Sequence, residues 1–392
     1  MDTSVPGPVT PHVTDTLASE PQAHHLPIKF TGSGSEYFRI WIVNLLLMLL
    51  SLSVYYPWAK VRRLRYFHGN TLIDGKPLDF HGAPKKMLKG YLLVGLLFGL
   101  YSLAGNFSPT AGLVALAIVV AIWPALMKSS MQFRLANTSW CGMRFRFKGS
   151  LGGAYWALLP MTLPIVAFVG ATVAMPVNGK PTLEHGVAFG IVMLLNLAAL
   201  PWLFWNLKRY QHNHYALASL QTTFNATVGS FYKVLFKGLG VVVLLMILPL
   251  ALSFGLIEVS KGSESRGPFI ALIAGLFPLL FMLLVFVTIK PYMTSRIQNL
   301  IWTRTGNTSV RFLSHLRFSP LFRLTLKNWG LMIVTLGLYW PFAAVALTRM
   351  RLEAVTVKTR IDPDELVNLI SAVEGDAAGD AAGDLFDLDI GL

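Results

Sequence analysis

Charge is scarce in this chain of 392 residues. Asp, Glu, Lys and Arg make up only 13% of it, against about 25% in ordinary soluble domains, while 54% of residues are hydrophobic. Mean hydropathy is +0.56. So much apolar surface exceeds what a water-soluble core needs and calls for lipid. Cysteine is scarcer still: Cys141 stands alone, so no internal disulfide can form, and no Cys/His set has zinc-ligand spacing. The first 27 residues, with Pro6, Pro8, Pro11 and Pro21, lack the basic start and short apolar core of a cleavable signal and read as a disordered segment.

What is abundant is long apolar runs. They fall near 39–58, 90–106, 110–127, 154–176, 186–206, 238–257, 268–289 and 328–348, each close to the roughly 20 residues that cross a bilayer as a helix. The expected fold is an all-α polytopic membrane protein of about eight spans, with 28–360 as the membrane domain and 361–392 as an acidic, disordered tail. None of the eight runs contains Asp or Glu, which removes the buried carboxylate that proton coupling ordinarily uses.

Net charge is +14, yet residues 362–392 hold nine acidic residues and no basic one, which leaves the body at +23. Loops 59–89, 128–150, 207–233 and 290–323 contain 22 Lys and Arg. Only Lys180, Lys261 and Arg266 occupy the intervening loops. The positive-inside rule places the basic set in the cytoplasm, and it reads the charge as topology rather than as a nucleic-acid surface. One conflict follows. Eight spans send the C-terminus outside, whereas Arg349, Arg351, Lys358 and Arg360 belong inside. If 39–58 and 328–348 bend and re-enter on one side, the count becomes six spans plus two re-entrant segments and the conflict disappears.

Internal similarity runs through the loops. Asn70, Thr71, Gly75, Phe80 and Gly82 recur at the spacing of Asn137, Thr138, Gly142, Phe147 and Gly149, and looser copies lie near Asn213 to Phe224 and Asn307 to Phe312. Asn44 and the run Ser51 to Trp58 align with Asn328 and Thr335 to Phe342. Duplication of a structural unit is the expectation. Asp74-Gly75 favours a tight turn, and Met143, Phe145 and Phe147 alternate with Arg144, Arg146 and Lys148. Each loop therefore predicts a short β-hairpin with one apolar and one cationic face.

Phe30-Thr31-Gly32-Ser33-Gly34-Ser35-Glu36-Tyr37-Phe38, the run Ser51 to Lys60, and Arg65-Tyr66-Phe67-His68-Gly69-Asn70-Thr71 followed by Gly75 resemble the YjgN family of bacterial inner-membrane proteins. The similarity extends over roughly 28–360 and implies a multi-pass inner-membrane protein of unestablished activity. Ser51-Leu52-Ser53 departs from the Thr-Leu-Gly form kept at 335–337.

No nucleophile signature, carboxylate pair or phosphate loop is legible, so no catalytic residue or cofactor is expected; Gly32-Ser33-Gly34 lacks a preceding strand pattern. His212-Asn213-His214 reads as an interfacial loop rather than a metal site. Asn196 and Asn206 read as helix-packing groups. Asn44 and Asn328, related by the duplication, are the candidate substrate ligands, and Arg144, Arg146 and Lys148 the candidate contacts to anionic lipid headgroups. Transport or channel activity for a small solute or lipid leads. The alternative is a lipid-binding, membrane-organising scaffold, and an enzyme comes last.

Overall fold

The computed structural model describes residues 24–176, 182–217, 220–261 and 267–360. Strands alternate with helical hairpins. Strand β1 (His24–Phe30) leads into α1 (Gly34–Leu50) and α2 (Tyr56–Gly69), then β2 (Thr71–Ile73) and β3 (Lys76–Phe80). The second hairpin is α3 (Pro84–Phe107) with α4 (Pro109–Ala136), followed by β4 (Thr138–Trp140) and β5 (Met143–Phe147). The third is α5 (Leu151–Leu158), a 3-10 turn and α6 (Leu163–Val173), paired with α7 (Leu183–His212) and followed by β6 (Tyr215–Leu217), β7 (Leu220–Gln221) and β8 (Thr223–Phe224). The fourth is α8 (Val228–Lys261) with α9 (Gly267–Thr303), then β9 (Thr305–Gly306) and β10 (Val310–Ser314). The fifth is α10 (Phe318–Val334) with α11 (Trp340–Glu353), and β11 (Val355–Thr359) completes the series.

The strands form one antiparallel sheet in the order β7-β6-β5-β4-β3-β2-β1-β11-β10-β9-β8. Its two outermost strands are consecutive in sequence and separated only by Thr222, so the sheet returns on itself as a ring. Asn307 Nδ2 donates to the Gln221 carbonyl (3.2 Å) across that seam. The helices follow the same circuit: α2 packs on α3, α4 on α5, α7 on α8, α9 on α10 and α11 on α1.

Each hairpin is fastened to the ring in one way. The N–H that follows the entering strand donates to the carbonyl that ends the returning helix: Thr31 to Asn70 (3.0 Å), His81 to Asn137 (2.8 Å), Lys148 to His214 (2.9 Å), Asn225 to Arg304 (2.8 Å) and His315 to Ala354 (2.8 Å). The Asn-Thr pairs are helix C-caps. Asn70 and Asn137 Nδ2 each donate to the carbonyl four residues back (2.8 Å), as do the hydroxyls of Thr71 (2.7 Å) and Thr138 (2.8 Å), which satisfies carbonyls that a helix end leaves without partners. The glycines of the Phe-x-Gly motif are steric. A Cβ on Gly82 would lie 2.5 Å from the Phe80 ring, and one on Gly149 would lie 2.5 Å from the Phe147 ring. These rings fold back over the turn into small cores at the sheet–helix junction, such as Val61, Phe80, Met87 and Phe133.

The all-α expectation is therefore corrected by an 11-stranded sheet. Both predicted hairpins are present, with Asp74 (φ 52°) and Gly75 (φ 76°), and Cys141 (φ 52°) and Gly142 (φ 83°), in the left-handed pair that a two-residue turn requires. Residues 24–27, expected in the disordered N-terminal segment, belong to β1, because their backbone pairs with β11. The remainder of that segment and 361–392 lie outside the described residues.

The expected count of eight spans is not confirmed. Among the described residues six helical segments are long and apolar enough to cross a membrane: Pro84–Phe107, Pro109–Ala136, Leu151–Val173, Leu183–His212, Val228–Lys261 and Gly267–Thr303. The runs 39–58 and 328–348 break in the middle instead. Leu52 (φ 47°) and Ser53 (φ 71°) interrupt the first, and Leu336 (φ 51°) and Gly337 (φ 89°) the second. Ser53 N–H donates to the Met48 carbonyl (2.8 Å) and Gly337 N–H to the Met332 carbonyl (2.7 Å), a left-handed C-cap. Ser51 Oγ and Thr335 Oγ1 then accept from Tyr55 and Tyr339 N–H, both at 3.0 Å, and start the returning helix. Both hairpins begin and end on the sheet. Their tips are bare and apolar, with Leu52 89% and Leu336 94% exposed.

Candidate functional site

A cavity of about 1100 Å³ occupies the centre of the ring, where sheet and helices meet. Its lower wall is the inward face of the strands. Alternate residues point the same way on a strand, so Leu26 and Ile28, Val310 and Phe312, and Val355 and Val357 all reach it. Its upper wall comes from α2, α4, α7, α9, α10 and α11.

Four cations line this space, Arg63, Arg134, Lys290 and Arg351, and among the described residues no carboxylate does. Hydrogen bonds hold two of them. Arg134 donates to the Ser130 hydroxyl (3.1 Å), while Arg351 Nε donates to Gln298 Oε1 (2.8 Å) and Gln298 Nε2 returns a bond to the Arg351 carbonyl (2.8 Å). The Arg63 guanidinium lies 5.5 Å from the Trp340 ring centroid, a cation–π contact. Among the described residues none of the four has an acidic partner. Partial desolvation lowers the Arg351 pKa from its ordinary value, although the side chain stays exposed to the open chamber. The Tyr215 phenol, also on the wall, is pushed up to about 12 by burial, and the nearby Arg134 acts in the opposite direction. It stays a neutral hydroxyl at ordinary pH.

Two polar atoms on the wall are buried without a hydrogen-bond partner: Trp140 Nε1, on a side chain 4% exposed, and Asn328 Oδ1, on one 5% exposed. An unmet donor or acceptor in a low-dielectric site costs about 1–3 kcal/mol.

The predicted site residues separate. Asn328 lines the cavity from α10; Asn44, its counterpart on α1, is buried with its own Oδ1 unpaired but is not part of the wall. Arg144, Arg146 and Lys148 are exposed, and the first two alternate with cavity-facing Phe145. His212 and His214 serve different tasks: His212 Nδ1 meets Thr305 Oγ1 (3.0 Å), and His214 Nδ1 meets the Tyr210 carbonyl (2.7 Å). Asn206 Nδ2 donates to the Trp156 carbonyl (2.8 Å), which lacks its helical donor because residue 160 is proline, and Asn196 Nδ2 donates to the Pro164 carbonyl (3.1 Å).

Sequence reasoning passed over Arg63, Arg134, Lys290, Arg351 and Trp140. A signal for two of them existed. Arg134 and Arg351 stand four residues before the first residue of the following strand, as does cavity-lining Gln211, while Phe67 and Ile301 at the same position of the other two hairpins do not line the space.

Comparison with known proteins agrees with the resemblance read from the sequence. The inner membrane protein YjgN of Salmonella typhimurium LT2 is 25% identical over 374 residues, covering 90% of this chain and 94% of that protein. The protein of the same name from Escherichia coli O157:H7 is 27% identical over 170 residues, 43% of this chain and 42% of that one. No solved structure matches the fold. The profile of a family described as "bacterial protein of unknown function" matches residues 25–385, and the chain, a multi-pass inner-membrane protein, belongs to that family, DUF898.

Proposed function

We propose that the central chamber binds an anionic amphiphile taken from the cytoplasmic leaflet. The observation that carries this reading is four cations without a carboxylate on the wall of an otherwise largely apolar space of about 1100 Å³. All four cations are exposed into the open chamber, where an anionic ligand can meet them through charge-assisted hydrogen bonds while its apolar part meets the remaining wall. The volume sits at the upper end of ordinary ligand pockets, about 300–1,000 Å³.

The positive-inside rule places the sheet ring, with the basic loops, on the cytoplasmic side, and it then puts both ends of the described chain there, because β1 pairs with β11. On this reading α1–α2 and α10–α11 are re-entrant hairpins that dip into the near leaflet. At 17 residues, α1 and α10 each extend about 25 Å from the sheet, whereas α8 and α9, at 34 and 37 residues, extend about 50–55 Å. Five hairpins thus surround the chamber near the sheet and three continue beyond it. The two hairpins with 17-residue helices make a shorter wall than the other three, which favours entry from the bilayer over a sealed pore, and so the binding reading over channel or transporter activity. The five recurring strand-to-helix fastenings support descent from one duplicated unit.

The test is equilibrium binding of phosphatidate to the full chain in phosphatidylcholine nanodiscs. Saturable binding that weakens on Arg134→Gln with Arg351→Gln, by about tenfold or more for the loss of charge-assisted bonds, is expected. Absence of saturable binding, or indifference to both changes, would refute the proposal.

A further inference from the structure

The polarity of the chamber wall is sorted by height. Every cation on it, together with Gln211, Gln298 and Asn328, sits on a helix, whereas the strands contribute no charged side chain and chiefly Leu, Ile, Val, Phe and Trp. Arg134 and Arg351 lie within the last turn or so of α4 and α11, so the charge begins where the sheet ring ends. Below that level the wall consists of strand side chains such as Leu78, Trp140, Phe312 and Val357. An apolar compartment therefore lies on the far side of the cations from the bilayer. A lipid that stays in its leaflet has no use for such a compartment.

Resting on the chamber reading above, we infer that the sheet ring holds the acyl chain of the bound amphiphile. The anionic headgroup sits among Arg63, Arg134 and Arg351, and the chain points away from the membrane. The ligand class is then a long-chain anionic lipid with at least one chain withdrawn from the bilayer, and the protein carries or presents that lipid instead of merely anchoring to it. Moving a methylene from the bilayer into a dry apolar ring is close to neutral, whereas each one left in water weakens binding about fourfold, so the chain leaves the leaflet only where the ring stays dry along its length.

The experiment uses the full chain in phosphatidylcholine nanodiscs and a palmitoyl lysophosphatidate carrying a diazirine at the terminal carbon. After irradiation the adducts are mapped by peptide mass spectrometry. Adducts on strand residues such as Ile73, Leu78, Phe145 and Val357, displaced by unlabelled lysophosphatidate, are expected. Displaceable adducts confined to helix residues such as Trp329 and Met332 would show the chain directed into the bilayer; the inference would fall while the chamber reading stood. Labelling that no competitor displaces would overturn both. A second variant, Leu78→Trp, fills the ring: it should weaken the palmitoyl probe about tenfold, the equivalent of about two methylenes left in water, and leave a hexyl phosphate unaffected. Equal effects on the two probes would overturn the inference.

Discussion

Replacement of Gly149 by alanine tests the steric logic that fastens a hairpin to the ring. A Cβ at this position would stand 2.5 Å from Phe147 Cε1 and 2.6 Å from the Tyr210 hydroxyl oxygen. Neither neighbour has room to give. Phe147 is 5% exposed within a cluster that includes Met131, Ala154, Leu158 and Tyr210, and the Tyr210 hydroxyl donates to the Ser150 carbonyl (2.9 Å) at the start of α5. Overpacking a tight core costs about 1–3 kcal/mol. Losing the tyrosine bond adds about 1 kcal/mol. The control lies three residues away: Gly152 has nothing within 4 Å of its added Cβ and sits in α5, where alanine gains about 0.5–1 kcal/mol of helix propensity. In thermal unfolding of the detergent-solubilised full chain, Gly149→Ala should lower the midpoint by several degrees while Gly152→Ala leaves it level or raises it. Combining Gly149→Ala with Phe147→Leu should cost less than the two single changes summed, since the smaller side chain vacates the clash. Equal midpoints for the two alanine variants would refute the reasoning.

Three further outcomes follow from local geometry. Ser53, at φ 71°, and Gly337, at φ 89°, hold the same place in the two broken hairpins, so Ser53→Gly should stabilise and Gly337→Ser destabilise by about 1 kcal/mol each, read as opposite shifts in the melting midpoint. Asn206→Leu strips the donor from the Trp156 carbonyl left open by Pro160 and should destabilise by about 1–3 kcal/mol; a midpoint equal to the parent's would show that this bond contributes nothing. Fluorescent-protein fusions at both chain ends should be bright and alkaline phosphatase fusions inactive, because β1 and β11 pair on the basic side. An active phosphatase at residue 392 would restore the eight-span topology.

Much of this architecture is legible in the residues because the signals are local. Six of the eight apolar runs fall in helices long and apolar enough to cross a membrane, and Asp74-Gly75 marks its turn through the left-handed conformation that glycine tolerates. Met143, Phe145 and Phe147 separated from Arg144 and Arg146 by the period of a strand, and the structure keeps that alternation. Ring closure is a different matter. It depends on strands of two to seven residues paired across distant parts of the chain, β1 with β11 above all, and nothing at either end announces the partner. The run 39–58 looked continuous because Leu52 and Ser53 adopt positive φ without a glycine between them; at 335–337 the glycine was there to be read. The site was obscured by charge counting. Arg134 and Arg351 satisfy the positive-inside rule wherever their side chains point, and only helix phase relative to the following strand turns them inward.

Native mass spectrometry of the gently extracted full chain tests the central claim most directly, with the inner and outer cations exchanged separately. Arg134→Gln with Arg351→Gln should abolish a discrete bound anionic lipid, whereas Arg144→Gln with Arg146→Gln, on the outward face of β5, should leave it in place. Loss of the lipid with the outer pair alone would contradict the chamber and assign lipid binding to the exposed strands.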